Sequence, residues 1–238
     1  MNQGVDMSLS TDVVEALQTV STATLTTLLL KKGLRNVWMR GTRPIRTGQA
    51  RVVGRAFTMR FVPAREDLAT PASWNSPTST RAAIEAMPEG CIAVVDARGV
   101  TDAGIFGDIL AARIARRGVS AVVTDGVMRD VAGVLGTRLP IWCQGVAAPP
   151  SVAGLTFVDW QSPIGCGGVA VFPGDVVVAD EDGAVLIPAA LLEEIVPLAL
   201  EQERLEAWIV SQVEEGARLP GLYPPNEENL AKYRSSQS

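Results

Sequence analysis

The strongest constraint on this 238-residue chain lies between residues 92 and 125. Ile92-Ala-Val-Val-Asp96 is a short unbroken apolar run closed by a carboxylate, the pattern of a strand buried on both faces. A loop follows to Gly107, then helical spacing from Asp108 to Arg117, a stop at Gly118 and a second buried run, Ser120-Ala-Val-Val-Thr-Asp125. Strand, helix and strand in that order predict a right-handed crossover, with parallel strands whose carboxyl ends share one edge. Ligands of parallel α/β units gather beyond that edge. Asp96, Asp125, the loop ending at Gly107 and the segment Gly126-Val-Met-Arg129-Asp130 are therefore expected to converge there.

The flanking segments predict a layered α/β chain. Ser10-Thr11-Asp12 opens a helical region that Gly33 stops, with Val13, Val14, Leu17 and Val20 facing inward. Residues 50–62 alternate as a strand, residues 63–77 form a polar loop containing Trp74, and Thr80 to Met87 make a short helix. Strands are expected at Ile141-Trp-Cys143 and at Val169-Ala-Val-Phe172, and a hairpin where Glu181-Asp-Gly183 separates residues 176–179 from 184–187. Residues 189–214 are helical, with Pro197 expected to kink or split the helix. Length fits one domain over 1–215, leaving 216–238 as a proline-bearing arm laid on a neighbouring copy.

Composition narrows the chemistry available at the edge. Histidine is absent, which removes the Ser-His-Asp and Cys-His systems and the histidine zinc sites. Lysine occurs only at 31, 32 and 232, in helix-end or tail contexts that would not desolvate an amine, so imine catalysis is disfavoured. Cys91, Cys143 and Cys166 form no CxxC pair and are odd in number, which suits a reducing compartment. A net charge of −5 with dispersed arginines gives no footprint for nucleic acid, and no apolar run approaches ~18 residues. The chain is expected to be cytoplasmic, without a signal segment, a membrane span or an organic cofactor.

What remains is oxygen and guanidinium chemistry. Gly107 begins a helix whose free amides and dipole favour an anion, and Arg129 can add a two-bonded clamp on a carboxylate. Asp108 and Asp130, without histidine or clustered cysteine beside them, select a hard cation, Mg2+ or Mn2+. Structural readings stand beside these: Asp108 as a helix cap, Arg129-Asp130 as a turn pair, Asp96 as a strand-end residue bonding loop amides. Gly165-Cys166-Gly167-Gly168 reads as a tight loop with a small filler, since nothing activates the thiol. Arg60, Arg65 and Arg81 flank the 63–79 loop, mostly as solvated surface, with one of them available to a second substrate carboxylate.

Asp108, twenty residues, then Arg129-Asp130 resembles the signature of the RraA-like family, which contains the 4-hydroxy-4-methyl-2-oxoglutarate/4-carboxy-4-hydroxy-2-oxoadipate aldolases, class II pyruvate aldolases. Gly54-Arg-Ala-Phe-Thr58, Ile92–Asp96, residues 167–175 and residues 178–183 extend the resemblance over roughly 10–195. It implies a swivelling β/β/α sandwich with helical N- and C-terminal appendages, assembled as a trimer or dimer of trimers. It also implies a divalent-metal lyase that cleaves a 4-hydroxy-2-oxo acid to pyruvate and a second carbonyl compound through a stabilised enolate, with oxaloacetate decarboxylation alongside. By matching positions, Asp130 would ligate the metal and Asp108 would hold a water on it. Arg129 and the backbone of Gly107, Asp108, Ile109 and Leu110 would bind the small 2-oxo acid. A neighbouring subunit is expected to add a carboxylate, with Glu201 and Glu203 as candidates. The family also contains non-catalytic regulators that bind a ribonuclease, which is the alternative function. The 63–79 loop and the tail depart from the compact aldolases.

Overall fold

Ser10 and Ser21 each accept a first-turn amide and so start the two N-terminal helices, α1 (Thr11–Gln18) and α2 (Thr22–Lys31). Gly33, at φ +86°, ends the second. The computed structural model describes residues 8–237, so residues 1–7 of the expected domain lie outside the described residues. Two short strands, β1 (Trp38–Met39) and β2 (Arg43–Pro44), lead into the long β3 (Val52–Pro63). Next come α3 (Thr80–Ala86), β4 (Ile92–Asp96), α4 (Asp108–Arg116), β5 (Ala121–Thr124), β6 (Val127–Met128) and α5 (Val131–Gly136). The chain continues through β7 (Ile141–Cys143), β8 (Gly145–Val146), β9 (Leu155–Trp160), β10 (Val176–Asp180) and β11 (Gly183–Ile187). It ends in α6 (Leu192–Glu214) and α7 (Glu227–Ser236).

The expected crossover is present: β4 pairs parallel with β5, Ile92 opposite Ala121 and Val95 opposite Thr124. Strand β3 runs parallel to β4 and antiparallel to β10, and so joins a parallel half, β3-β4-β5-β7, to an antiparallel half, β1-β11-β10-β3. Period-2 alternation then decides the layers. Ile92, Val94, Val177, Ala179, Ala184 and Leu186 point into one cluster between the halves. Their neighbours point outward: Ala93 and Val95 toward α4 and α5 residues, and Val176, Val178, Val185 and Ile187 toward α1, α2 and α6. The two sheet halves thus pack face to face, with helices on both outer surfaces.

Four local expectations are corrected. Residues 169–172 make no strand; after a 3-10 turn at Cys166–Gly168, in which Gly167 and Gly168 are left-handed, only Val171 bridges to Ile164. The 63–77 loop contains a 3-10 helix, Pro71–Asn75. Pro197 does not split its helix, because it lies early in α6, where one missing amide costs the Glu193 carbonyl its helical partner while buried Leu192, Ile195 and Ala199 fix the same turns. Finally, residues 216–237 fold back on their own chain: Asn226 caps α7, Leu222 and Tyr233 are buried, and the Tyr233 ring lies 5.8 Å from that of Trp208 on α6.

Candidate functional site

A small ribbon of short parallel bridges beyond β5 brings the signature residues together. Gly104 bridges in parallel to Val127 on β6 and to Pro150, and β6 pairs with Gly145–Val146. The Ile105 amide donates to the Val127 carbonyl at 2.9 Å and the Arg129 amide to the Phe106 carbonyl at 3.0 Å. This zips the loop before α4 against the segment before α5, so Gly107–Leu110 and Arg129–Asp130 line one cleft of about 240 Å³. Trp74, Arg81 and Ser151 complete its walls.

Close approach requires glycine at three points. A Cβ on Gly104 would lie 2.7 Å from the Arg129 Cβ, and one on Gly107 2.5 Å from Asp130 Oδ2. A Cβ on Gly133 would lie 2.6 Å from the Asp108 Cβ and 2.7 Å from its Oδ2. Asp130 is itself left-handed, φ 53° and ψ 44°, a conformation that Asp tolerates at a cost of order 1 kcal/mol. The backbone is bent to set this carboxylate against α4.

The polar groups are partly paired. Arg129 Nε donates to Asp130 Oδ2 at 3.1 Å, which leaves the outer guanidinium nitrogens for a ligand. Asp108 Oδ1 accepts from the Ile109 amide at 2.7 Å, so of the backbone groups expected to bind substrate that one is already engaged. Asp108 and Leu110 retain first-turn amides without helical partners, and Gly107 supplies no side-chain cap. Ile109 itself stands exposed at the mouth. Arg81 lies 4.9 Å from the Trp74 ring centroid, a cation–π contact that fixes its guanidinium on the cleft wall.

Other sequence candidates are placed elsewhere. Asp96 accepts from the Arg98 and Gly165 amides at 3.0 and 3.2 Å, and Asp125 from the Ala97 and Gly167 amides at 2.8 and 3.1 Å. Both tie loops together along a separate depression with Arg40 and Gln144 and do not enter the cleft. Burial raises the Asp125 carboxyl above its usual range, with the two amides opposing it. Cys166 is fully buried, and that burial drives its thiol well above the ordinary value, as an inert filler requires. Arg65 pairs with Asp67 at 2.6 Å. Glu201 pairs with Arg204 at 2.8 Å, and Glu203 accepts from the Ser21 amide at 2.6 Å, so both have partners within this chain. No group of three or more His, Cys, Asp or Glu side chains placed to hold a metal occurs among the described residues. Gly104, Gly133, Thr80, Pro150 and Ser151 carry no local sequence signal for their places here, which depend on contacts distant along the chain.

Residues 10–186 match the RraA-like family description, Aldolase/RraA. The Legionella pneumophila protein DlpA is 29% identical over 173 residues, which cover 71% of this chain and 27% of that protein. A Halalkalibacterium halodurans protein provisionally named 4-hydroxy-4-methyl-2-oxoglutarate aldolase is 33% identical over 124 residues, 52% of this chain and 58% of its own. The chain thus spans about a quarter and just over half of the lengths of these two relatives. Among solved structures, RraAS2 of Streptomyces coelicolor, described as an unusual member of the RNase ES inhibitor RraA protein family, superposes with a TM-score of 0.75 at 35% identity. That match covers 84% of this chain and 96% of RraAS2. An uncharacterized Pseudomonas syringae protein shares the fold, at a TM-score of 0.78 and 24% identity over 94% of this chain and 98% of its own. No single helix among the described residues is long and apolar enough to cross a membrane. The family includes both aldolases and RNase inhibitors, and with residues 10–186 matched the chain belongs to the RraA-like family.

Proposed function

We propose that the chain is a divalent-metal-dependent carbon–carbon lyase that cleaves a 4-hydroxy-2-oxo acid to pyruvate and a second carbonyl compound, with oxaloacetate decarboxylation as a side activity. The observation that carries this reading is the meeting of Asp108, Arg129, Asp130 and the first turn of α4 in one cleft. The two carboxylates are oxygen donors held against glycine backbone, a donor set that fits Mg2+ or Mn2+, which needs one or two carboxylates and completes its shell with water and substrate. Asp130 would hold the ion directly and Asp108 through a water. When bound, the ion supplies positive charge toward the enolate oxygen.

The chain's own groups do the rest. Arg129 grips the substrate carboxylate through the nitrogens that Asp130 leaves free, and the amides at the start of α4 orient it. These positive groups also oppose the charge that develops as the C3–C4 bond breaks and its electron pair passes into the C2–C3 enolate. Asp108 Oδ2, its partner oxygen being tied to the Ile109 amide, is left to relay the C4 hydroxyl proton through water. Return of a proton to C3 yields pyruvate. A trimer or dimer of trimers, with a neighbour completing the cleft, belongs to the same proposal.

Pyruvate release from oxaloacetate and 4-hydroxy-2-oxo acids, with Mg2+ or Mn2+ and with chelator, tests the reading. Turnover that the chelator abolishes supports it, and no turnover on any of these substrates overturns it. The 35% identity to RraAS2 favours a second reading, a regulator that binds a ribonuclease, for which inhibition of RNA cleavage that persists with chelator is the corresponding test.

A further inference from the structure

A second cavity of about 320 Å³ lies beneath the 63–79 loop and adjoins the charged cleft at Trp74, Thr80 and Ser151, which line both spaces, with the cleft as near arm and the cavity as far arm. Phe61, Leu68, Leu155, Phe157 and Val158 supply the apolar walls of the far arm. No charged side chain lines it among the described residues, and Arg81, Arg129, Asp108 and Asp130 all belong to the near arm.

Most of the polar atoms in the far arm are already spoken for. Ser73 Oγ donates to the Thr70 carbonyl, the Ser76 and Thr78 hydroxyls pair with each other, Ser79 caps α3, and Thr156 accepts from the Arg65 amide. The hydroxyls of Thr80 and Ser151, both at the junction, have no hydrogen bond among the described residues. A carboxylate placed in the far arm would be desolvated without a counter-charge, which is costly, whereas an uncharged group would meet apolar and aromatic surface. A cavity of ~150 Å³ suffices for benzene, so a ring with a short linker fits in the volume present.

We propose that this cavity is the subsite for the distal half of the substrate, and that the substrate is a 4-hydroxy-2-oxo acid bearing an uncharged aryl or branched alkyl group on C4. This rests on the lyase reading above and extends it. With the 2-oxo acid end on Arg129 and α4, the free Thr80 and Ser151 hydroxyls stand at the junction to meet the C4 hydroxyl, and the C4 substituent enters beneath Trp74. Cleavage breaks C3–C4. The C4 hydroxyl loses its proton and becomes the carbonyl of an uncharged aldehyde, while C3 gains a proton to become the methyl group of pyruvate, with no oxidant or reductant consumed.

The full-length protein with Mg2+ is to be assayed for pyruvate release from 4-hydroxy-2-oxo-4-phenylbutanoate, 4-hydroxy-4-methyl-2-oxoglutarate and oxaloacetate. The expected result is a kcat/KM at least tenfold higher for the phenyl substrate than for the dicarboxylate. Val158→Arg, a partly exposed position on β9, should lower that ratio at least tenfold by bringing a cation to the far arm. Equal or preferred turnover of the dicarboxylate, with the phenyl substrate poor, would overturn the subsite and leave the lyase reading standing. A ratio that Val158→Arg leaves unchanged, in a variant with the wild-type circular dichroism spectrum, would equally overturn it. Absence of pyruvate from all three substrates removes the lyase reading and the subsite together.

Discussion

Asp130 is where sequence pattern and backbone strain meet. Its left-handed backbone, which glycine would adopt without strain, carries the carboxylate to within 3.1 Å of Arg129 Nε. Asp130→Ala is expected to abolish metal-dependent pyruvate release, and Arg129→Lys to lower it severely, because an ammonium cannot reproduce a planar two-bond grip. Asp108→Asn should cost less, about 10–100-fold, as loss of an indirect contact does. Near-normal activity of Asp130→Ala in a steady-state assay would refute these assignments. Gly133→Ala acts one step further out: the new Cβ would lie 2.6 Å from that of Asp108, so turnover should fall about tenfold while the circular dichroism spectrum is retained. Asp125 carries a pH signature. Burial raises its carboxyl in the folded chain, so the folded state binds the proton more tightly than the unfolded state, whose value is ~3.9. Its contribution to stability is therefore greatest below that value and declines as pH rises through the folded one. Urea denaturation across this range should show the wild type losing stability relative to Asp125→Asn, and a constant difference between the two would contradict the assignment.

At the level of elements, β4, α4 and β5 were legible because each presents a full pattern: two buried apolar runs, and between them a helix that places Ala111 and Ile114 inward. The two-residue strands β1, β2, β6 and β8 carried no such signal, since a period cannot be read from two positions; their pairing is imposed by partners 18 to 147 residues away. Residues 169–172 erred in the opposite direction, with strand-like residues that find only one bridging partner. The tail lacks a wide apolar face, so α7 depends on docking through Tyr233. Tyr233→Ala should remove roughly 3 kcal/mol of local stability, the scale of a buried aromatic truncation. Faster amide exchange confined to α7 and the adjoining part of α6 would show it, whereas unchanged protection would mean that the helix is held by other contacts.

For the whole molecule, β3 is the pivot on which both halves turn, pairing parallel with β4 and antiparallel with β10 and β9. Its twelve residues explain why a single strand can belong to both faces of the sandwich. Leu198, Val210, Val213, Leu219 and Tyr223 remain exposed on α6 and the segment after it, a concentration of apolar surface that suits contact with further copies. Light scattering on the full chain should give a trimer or a multiple of three. A monomer at all concentrations would remove the assembly from the functional proposal.

The sequence by itself determined the parallel crossover, excluded histidine chemistry and singled out Asp108, Arg129 and Asp130 as residues that would meet, because these follow from local periodicity, from composition and from spacing. It also marked the 63–79 loop and Trp74 as unusual, without indicating a cavity there. Only the tertiary structure decided that Asp96 and Asp125 brace loops beside the cleft, that Gly104 and Gly133 leave no unstrained room for a Cβ, and that Arg81 joins the cleft while Arg65 pairs with Asp67. Each of these depends on which backbone or side chain stands opposite across a gap of a few ångströms. That distance is set by packing between segments far apart in the chain, and no local pattern encodes it.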